Sequence, residues 1–164
     1  MRIVIAFPPG GSSDIIAWLV ADRLTPRIGQ QVLAANRPGG GAMIAAEHVV
    51  RAGGDGHTIM FASSTIVITA ATRRNLPVEI RRDRVPLSNM VEAPMLLVGS
   101  VDAPFATLRG LVEYAKANPG RVNIGISGAG SSNHLALELM LRRAQVQATV
   151  VPYQGNAPQA SGSA

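Results

Sequence analysis

Cysteine is absent from the 164 residues, which removes disulfides, thiolate nucleophiles and Cys-ligated metals while leaving the compartment open. Aromatic residues are scarce at 4% of the chain. Lysine occurs once, as Lys116, so neither glycine-rich loop described below is followed by a phosphate-binding lysine. The three histidines, His48, His57 and His134, are not spaced as a ligand set and have no carboxylate cluster beside them, so no metal is expected. No apolar run approaches the roughly 20 residues of a membrane-spanning helix. No leader is visible either, because Met1-Arg2 runs straight into an apolar strand without an h-region or cleavage site. With 15% charged and 47% apolar residues, the composition is that of a globular chain with a real core. A net charge of +5 invites a nucleic-acid reading. The arginines are scattered, however, and the one cluster (Arg73, Arg74, Arg81, Arg82, Arg84) is interrupted by Glu79 and Asp83. It reads as a solvated loop, and no nucleic-acid partner is expected.

What is present is an alternation of strand and helix. Ile3–Phe7 is a continuous apolar run of the kind buried on both faces of a parallel sheet. In the helix that follows, Ile15, Ile16, Leu19, Val20 and Leu24 recur at three- and four-residue spacing and predict one buried stripe. Gly29 marks its end. Strands are expected at 31–35, 58–62, 93–99, 122–126 and 148–151, and helices at 43–51, 108–118 and 133–143, with an irregular stretch near 70–90 broken by Pro77 and Pro86. The domain reading is a first α/β lobe over 1–100, a partial second lobe over 101–158, and a flexible tail over 159–164.

Two segments repeat one idea. Pro8-Pro-Gly-Gly-Ser-Ser-Asp14 and Ser127-Gly-Ala-Gly-Ser-Ser132 each lie between a short apolar strand and a helix N-terminus. Such a junction leaves backbone N–H groups without helical partners and favours an anion. Gly10 and Gly11 let the chain turn and a ligand approach the backbone, and Ser12 or Ser13 is placed to cap the helix. Two such loops in one chain point to a small anion held between them.

Six ordered motifs carry a resemblance: Phe7-Pro-Pro-Gly-Gly-Ser-Ser-Asp14, Asn36-Arg-Pro-Gly39, Asp55-Gly-His-Thr58, Ala115-Lys-Ala-Asn-Pro-Gly120, Ser127-Gly-Ala-Gly-Ser-Ser-Asn-His-Leu135 and Val151-Pro-Tyr-Gln-Gly155. Over about residues 2–158 the chain resembles the tripartite tricarboxylate transporter substrate-binding proteins, the Bug family of bacterial periplasmic receptors. The resemblance implies a periplasmic-binding-protein-like α/β architecture of two lobes, with the first nearly complete here and the second partial. It implies a receptor, not an enzyme, that binds a small carboxylate such as a di- or tricarboxylate or amino acid and delivers it to membrane permease subunits. It also implies a periplasmic location and no cofactor. Carried over by position, it assigns ligand binding to Phe7, Gly10, Gly11, Ser13 and Asp14, and to Ser127, Gly128, Gly130, Ser131, Ser132 and His134. Members of the family run to roughly twice this length with a leader, so a truncated chain is expected. Ala35 stands where the family usually has Glu.

Other readings stay open at this point. Asp14 beside an anion site either orders the loop or pairs with a ligand ammonium group. His134 is either hydrogen-bonded scaffold or part of the site. A small α/β hydrolase would use Ser127 as nucleophile and His134 as base, although Gly125-Ile-Ser-Gly-Ala129 is not a G-x-S-x-G elbow and no acid is placed to orient the histidine. A dinucleotide site fits poorly, because Asn133 occupies the third glycine position after Gly128-Ala-Gly130. A remnant of a receptor that no longer binds is the third possibility.

Overall fold

In the computed structural model, which describes residues 1–162, the chain forms two compact units, Met1–Leu87 and the residues from Ser88 onward. The first contains β1 (Arg2–Ile5), α1 (Ser12–Ile28), β2 (Leu33–Asn36), α2 (Met43–Arg51), β3 (Thr58–Phe61) and α3 (Ser64–Thr72). Its strands form a parallel sheet in the order β2-β1-β3, with Ile5 in register with Asn36 and Phe61. Ile3, Val4 and Ile5 of the central strand are almost wholly buried. Ile3 and Ile5 pack against Ala17 and Ala21 of α1, while Val4 and Ala6 pack against α2 and Ile66 of α3 on the opposite face. A strand covered on both faces needs an unbroken apolar run, and β1 supplies it.

The second unit holds α4 (Leu108–Ala117), β4 (Asn123–Ile126), α5 (Ser132–Ala144), β5 (Thr149–Pro152) and α6 (Asn156–Gly162). β4 and β5 pair in parallel. Leu111 and Ala115 of α4 pack with Val122, and Leu137 and Leu141 of α5 pack with Ile126.

Several expectations are corrected. The buried stripe of α1 is Asp14, Ala17 and Ala21, whereas Ile15 and Leu19 face solvent. Small alanines let the helix seat closely on β1, which turns the larger side chains onto its flanks. α3 lies outside the expected helices, and its Ile66, Val67 and Ile68 are β-branched and poor helix formers. It forms because Ser63 caps it, accepting the Thr65 N–H at 3.3 Å, and because Ile66 and Thr69 are buried. Ala93–Gly99 is not a strand, having no neighbouring strand to pair with. No helix or strand lies between Thr72 and Leu108. The lobe boundary expected after residue 100 and the division after Leu87 both fall in that stretch. In place of a tail starting at 159, Gln159–Gly162 belong to α6, where the Gln159 Nε2–H donates to the Gly125 carbonyl at 2.9 Å. Ser163 and Ala164 lie outside the described residues.

Candidate functional site

The first loop leaves the C-terminal end of β1, the edge of a parallel sheet where open α/β folds place ligands. Gly10 has φ +86°, a conformation that side chains disfavour. Gly11, not a serine, is the N-cap of α1, so no side chain caps it there, and Ser12 and Ser13 lie in the first turn. The third helical residue does the ordering instead. Asp14 folds back so that Oδ2 accepts the Gly10 N–H at 2.9 Å and Oδ1 accepts the Asn36 Nδ2–H at 2.8 Å. Asn36 also donates to the Phe7 carbonyl at 3.0 Å, closing the loop at both ends. The Gly10 amide, then the Asn36 amide and the Trp18 side chain, hold the Asp14 carboxyl below its ordinary pKa, against an opposing contribution from burial. Asp14 is therefore anionic, 8% exposed, and turned onto its own scaffold. Phe7 packs its ring against the Val4 and Ala6 cluster.

The second loop repeats the device with different chemistry. Gly130 has φ +76° and donates its N–H to Nδ1 of His134, four residues on, at 3.1 Å. Ser131 is the buried N-cap of α5, its Oγ accepting the His134 N–H at 3.3 Å. Upstream, the Ser127 carbonyl accepts the Gly155 N–H at 3.0 Å, and the Gly128 carbonyl accepts the Ser131 N–H at 3.1 Å. The Ser132 hydroxyl donates to Asn133 Oδ1 at 3.4 Å.

His134 has no ring nitrogen left for Ser127. Nδ1 takes the Gly130 amide, which places the proton of the neutral ring on Nε2, and Nε2 lies 3.6 Å from Oε1 of Glu138. Glu138 is the nearby acid that sequence reasoning missed, one helical turn away. It stands on the far nitrogen from the loop, an arrangement that fixes the ring but does not build a nucleophile–base pair.

With Gly10 and Gly130 consumed, other amides remain. Among the described residues, the N–H groups of Gly11 and Ser13 at the first loop and of Ser132 and Asn133 at the second have no protein acceptor. Each pair sits at the positive end of a helix, α1 with 17 residues and α5 with 13. Size alone does not mark these positions. A shallow depression of about 420 Å³ in the second unit is lined by Leu141, Arg142 and Gln145 near the other end of α5, away from the amides. Asn36 is the other residue that sequence reasoning missed as part of the site. Its signal is a polar side chain at the end of β2, in parallel register with the end of β1.

The family model described as tripartite tricarboxylate transporter family receptor matches residues 16–162. A Pseudomonas protein, the UPF0065 protein in the tcbD-tcbE intergenic region, is 37% identical over 158 residues, covering 96% of this chain and 47% of that protein. BugT of Bordetella pertussis is 31% identical, with 96% of this chain and 49% of that protein covered. Among solved structures, an R. palustris protein with adipate is 31% identical and superposes with a TM-score of 0.93 over 99% of this chain and 55% of its own. MatC from Rhodopseudomonas palustris with bound malate is 26% identical, with a TM-score of 0.87 over 99% of this chain and 56% of its own. The chain thus spans about half the length of the curated relatives it matches.

Proposed function

The chain belongs to the tripartite tricarboxylate transporter receptor family, and we propose that it binds a small organic carboxylate, to which each glycine loop offers backbone amides. The observation that carries this reading is the N–H groups of Gly11, Ser13, Ser132 and Asn133, left without protein acceptors at two helix N-termini. A carboxylate accepts from such amides and is stabilised by the helix dipoles behind them. Solved relatives hold adipate and malate, both dicarboxylates, which makes those two acids the first probes. Asp14 orders the first loop in this reading and does not touch the ligand. Ser127, Gly128, Gly130, Ser131 and His134 shape the second loop, and no bond is made or broken. The whole receptor works in the periplasm and passes its ligand to membrane permease subunits.

Gly11→Val separates binding from folding. Gly11 has φ −84° and ψ 170°, which any residue adopts, and a Cβ built there meets nothing nearer than the Pro8 carbonyl at 4.0 Å. The branched side chain stands where the ligand approaches the amides. Calorimetric titration with adipate and malate is expected to show binding in the parent chain and at least about a tenfold loss in Gly11→Val, a change of about 1.4 kcal/mol, with an unchanged thermal midpoint. No heat from either acid, or equal affinity in the variant, would contradict the proposal.

A further inference from the structure

The arginine-rich stretch 73–84 of the first unit has no helix or strand, yet it is anchored. Leu76, Val78 and Ile80, at alternate positions, pack onto the core cluster that holds Val4, Ala6 and Ile66, and Val78 is 3% exposed. The residues between and after them, Pro77, Glu79 and Arg81, are exposed, as are Arg73 and Arg74. The stretch is therefore a strap, apolar side chains inward and arginines outward. It sets five arginines against two carboxylates, and both carboxylates are used within the strap. Asp83 accepts from Arg82 at 2.7 and 3.2 Å and from the Glu79 N–H at 2.9 Å. Glu79 Oε1 accepts the Arg81 N–H at 3.3 Å. Arg84 turns inward and donates to the Met60 sulfur at 2.9 Å. Three guanidinium groups are left. Arg73 reaches only the Gly40 carbonyl, at 3.4 Å, and among the described residues no ion pair involves Arg73, Arg74 or Arg81.

We infer that this strap is a docking surface for an acidic stretch of another polypeptide, whose carboxylates pair with Arg73, Arg74 and Arg81. The inference goes beyond ligand binding and does not draw on the glycine loops. Guanidinium groups match carboxylates two bonds at a time, and a backbone already fixed by Leu76, Val78 and Ile80 loses little freedom when a partner arrives. A plane of anionic lipid fits the strap less well. Glu79 and Asp83 stand among the arginines and repel a continuous negative surface, whereas separate carboxylates can pair with separate guanidinium groups. No aromatic side chain lies within 73–84 to enter a lipid interface. A second copy of this chain, set strap on strap about a two-fold axis, brings the same unpaired arginines together.

The probe is a fluorescein-labelled peptide of alternating glutamate and serine, with glutamine in place of glutamate as its uncharged control. Fluorescence anisotropy with the full chain at low ionic strength is expected to show binding of the glutamate peptide only, weakening as salt is added. Arg73→Gln, Arg74→Gln and Arg81→Gln together should weaken it by about tenfold or more. Arg27→Gln, Arg109→Gln and Arg121→Gln remove the same charge from other exposed positions and should weaken it by about twofold or less. If the strap variant melts lower than the parent, the pair Arg74→Gln and Arg81→Gln, whose side chains hold nothing in the scaffold, gives the same reading. No binding of the glutamate peptide, or an equal loss in the two triple variants, would overturn the inference. So would phosphatidylglycerol vesicles that take the chain from the peptide through the same three arginines, since they would assign the strap to a membrane. Adipate and malate play no part in these readouts, so a failure here and a failure of carboxylate binding are told apart.

Discussion

The two glycine loops use one backbone plan and two chemistries. In each, a glycine with positive φ precedes the N-cap, and the third helical side chain reaches back four residues to accept that glycine's N–H. In the first loop the acceptor is a carboxylate that also holds Asn36, so the loop is tied to the neighbouring strand by charge-assisted bonds. In the second it is a neutral imidazole, and a serine N-cap supplies the support that Gly11 cannot. The difference teaches that the glycine amide is occupied in both cases, leaving the amide of the residue just before the bonding side chain, Ser13 or Asn133, for a ligand in each. An acid in the first loop is therefore compatible with an anion site, because its charge is spent on the scaffold.

The largest expected effect breaks the first loop. Asp14→Ala leaves the Gly10 N–H and the Asn36 amide without their acceptor and is expected to cost about 1.5–3 kcal/mol, read as faster hydrogen exchange at Gly10 and a lower urea midpoint of the first unit. Asp14→Asn restores the shape but turns one donor onto another, so it should recover little of the loss. A smaller effect is expected in the second loop. His134→Ala removes one neutral bond while the Ser131 cap remains, and should cost about 0.5–1 kcal/mol, measured in the same way at Gly130. Equal losses in the two loops would remove the distinction between them.

Acidification gives the smallest and most selective effect. The Asp14 carboxyl is held below its ordinary pKa, so its contribution is present above the ordinary carboxylate value and is lost as pH falls through the folded value. His48, half-buried on α2, is shifted down by desolvation first and then by Arg37 and Arg2. The unfolded chain takes up a proton near pH 6.5 while the folded one resists it, so stability also falls as pH drops below about 6.5. Both act on the first unit. A urea series from pH 7 to pH 4 should weaken it more than His48→Gln, which loses the second contribution.

Much of the βα order was legible because β1 is an unbroken apolar run and Gly29 and Gly130 punctuate the helices they flank. Both loops could be placed from their glycines and serines. What was not legible depends on contacts across the sheet. Asn36 reads as a turn residue until the parallel register sets it beside the first loop, 22 positions from Asp14. Asp14 and His134 are ordinary first-turn residues in sequence, and only the backbone turn before them shows which amide each accepts. Ala93–Gly99 carries a strand's residues, but strand formation also requires a neighbour with a free edge, which local composition does not report.

The most direct measurement is the backbone amide spectrum of the 17.1 kDa chain, titrated with adipate. The account predicts that the N–H resonances of Gly11, Ser13, Ser132 and Asn133 shift as adipate is added, while those of Gly10 and Gly130, already bonded to Asp14 and His134, move least. Shifts concentrated at Gly10 and Gly130, or an unchanged spectrum at saturating adipate, would contradict it.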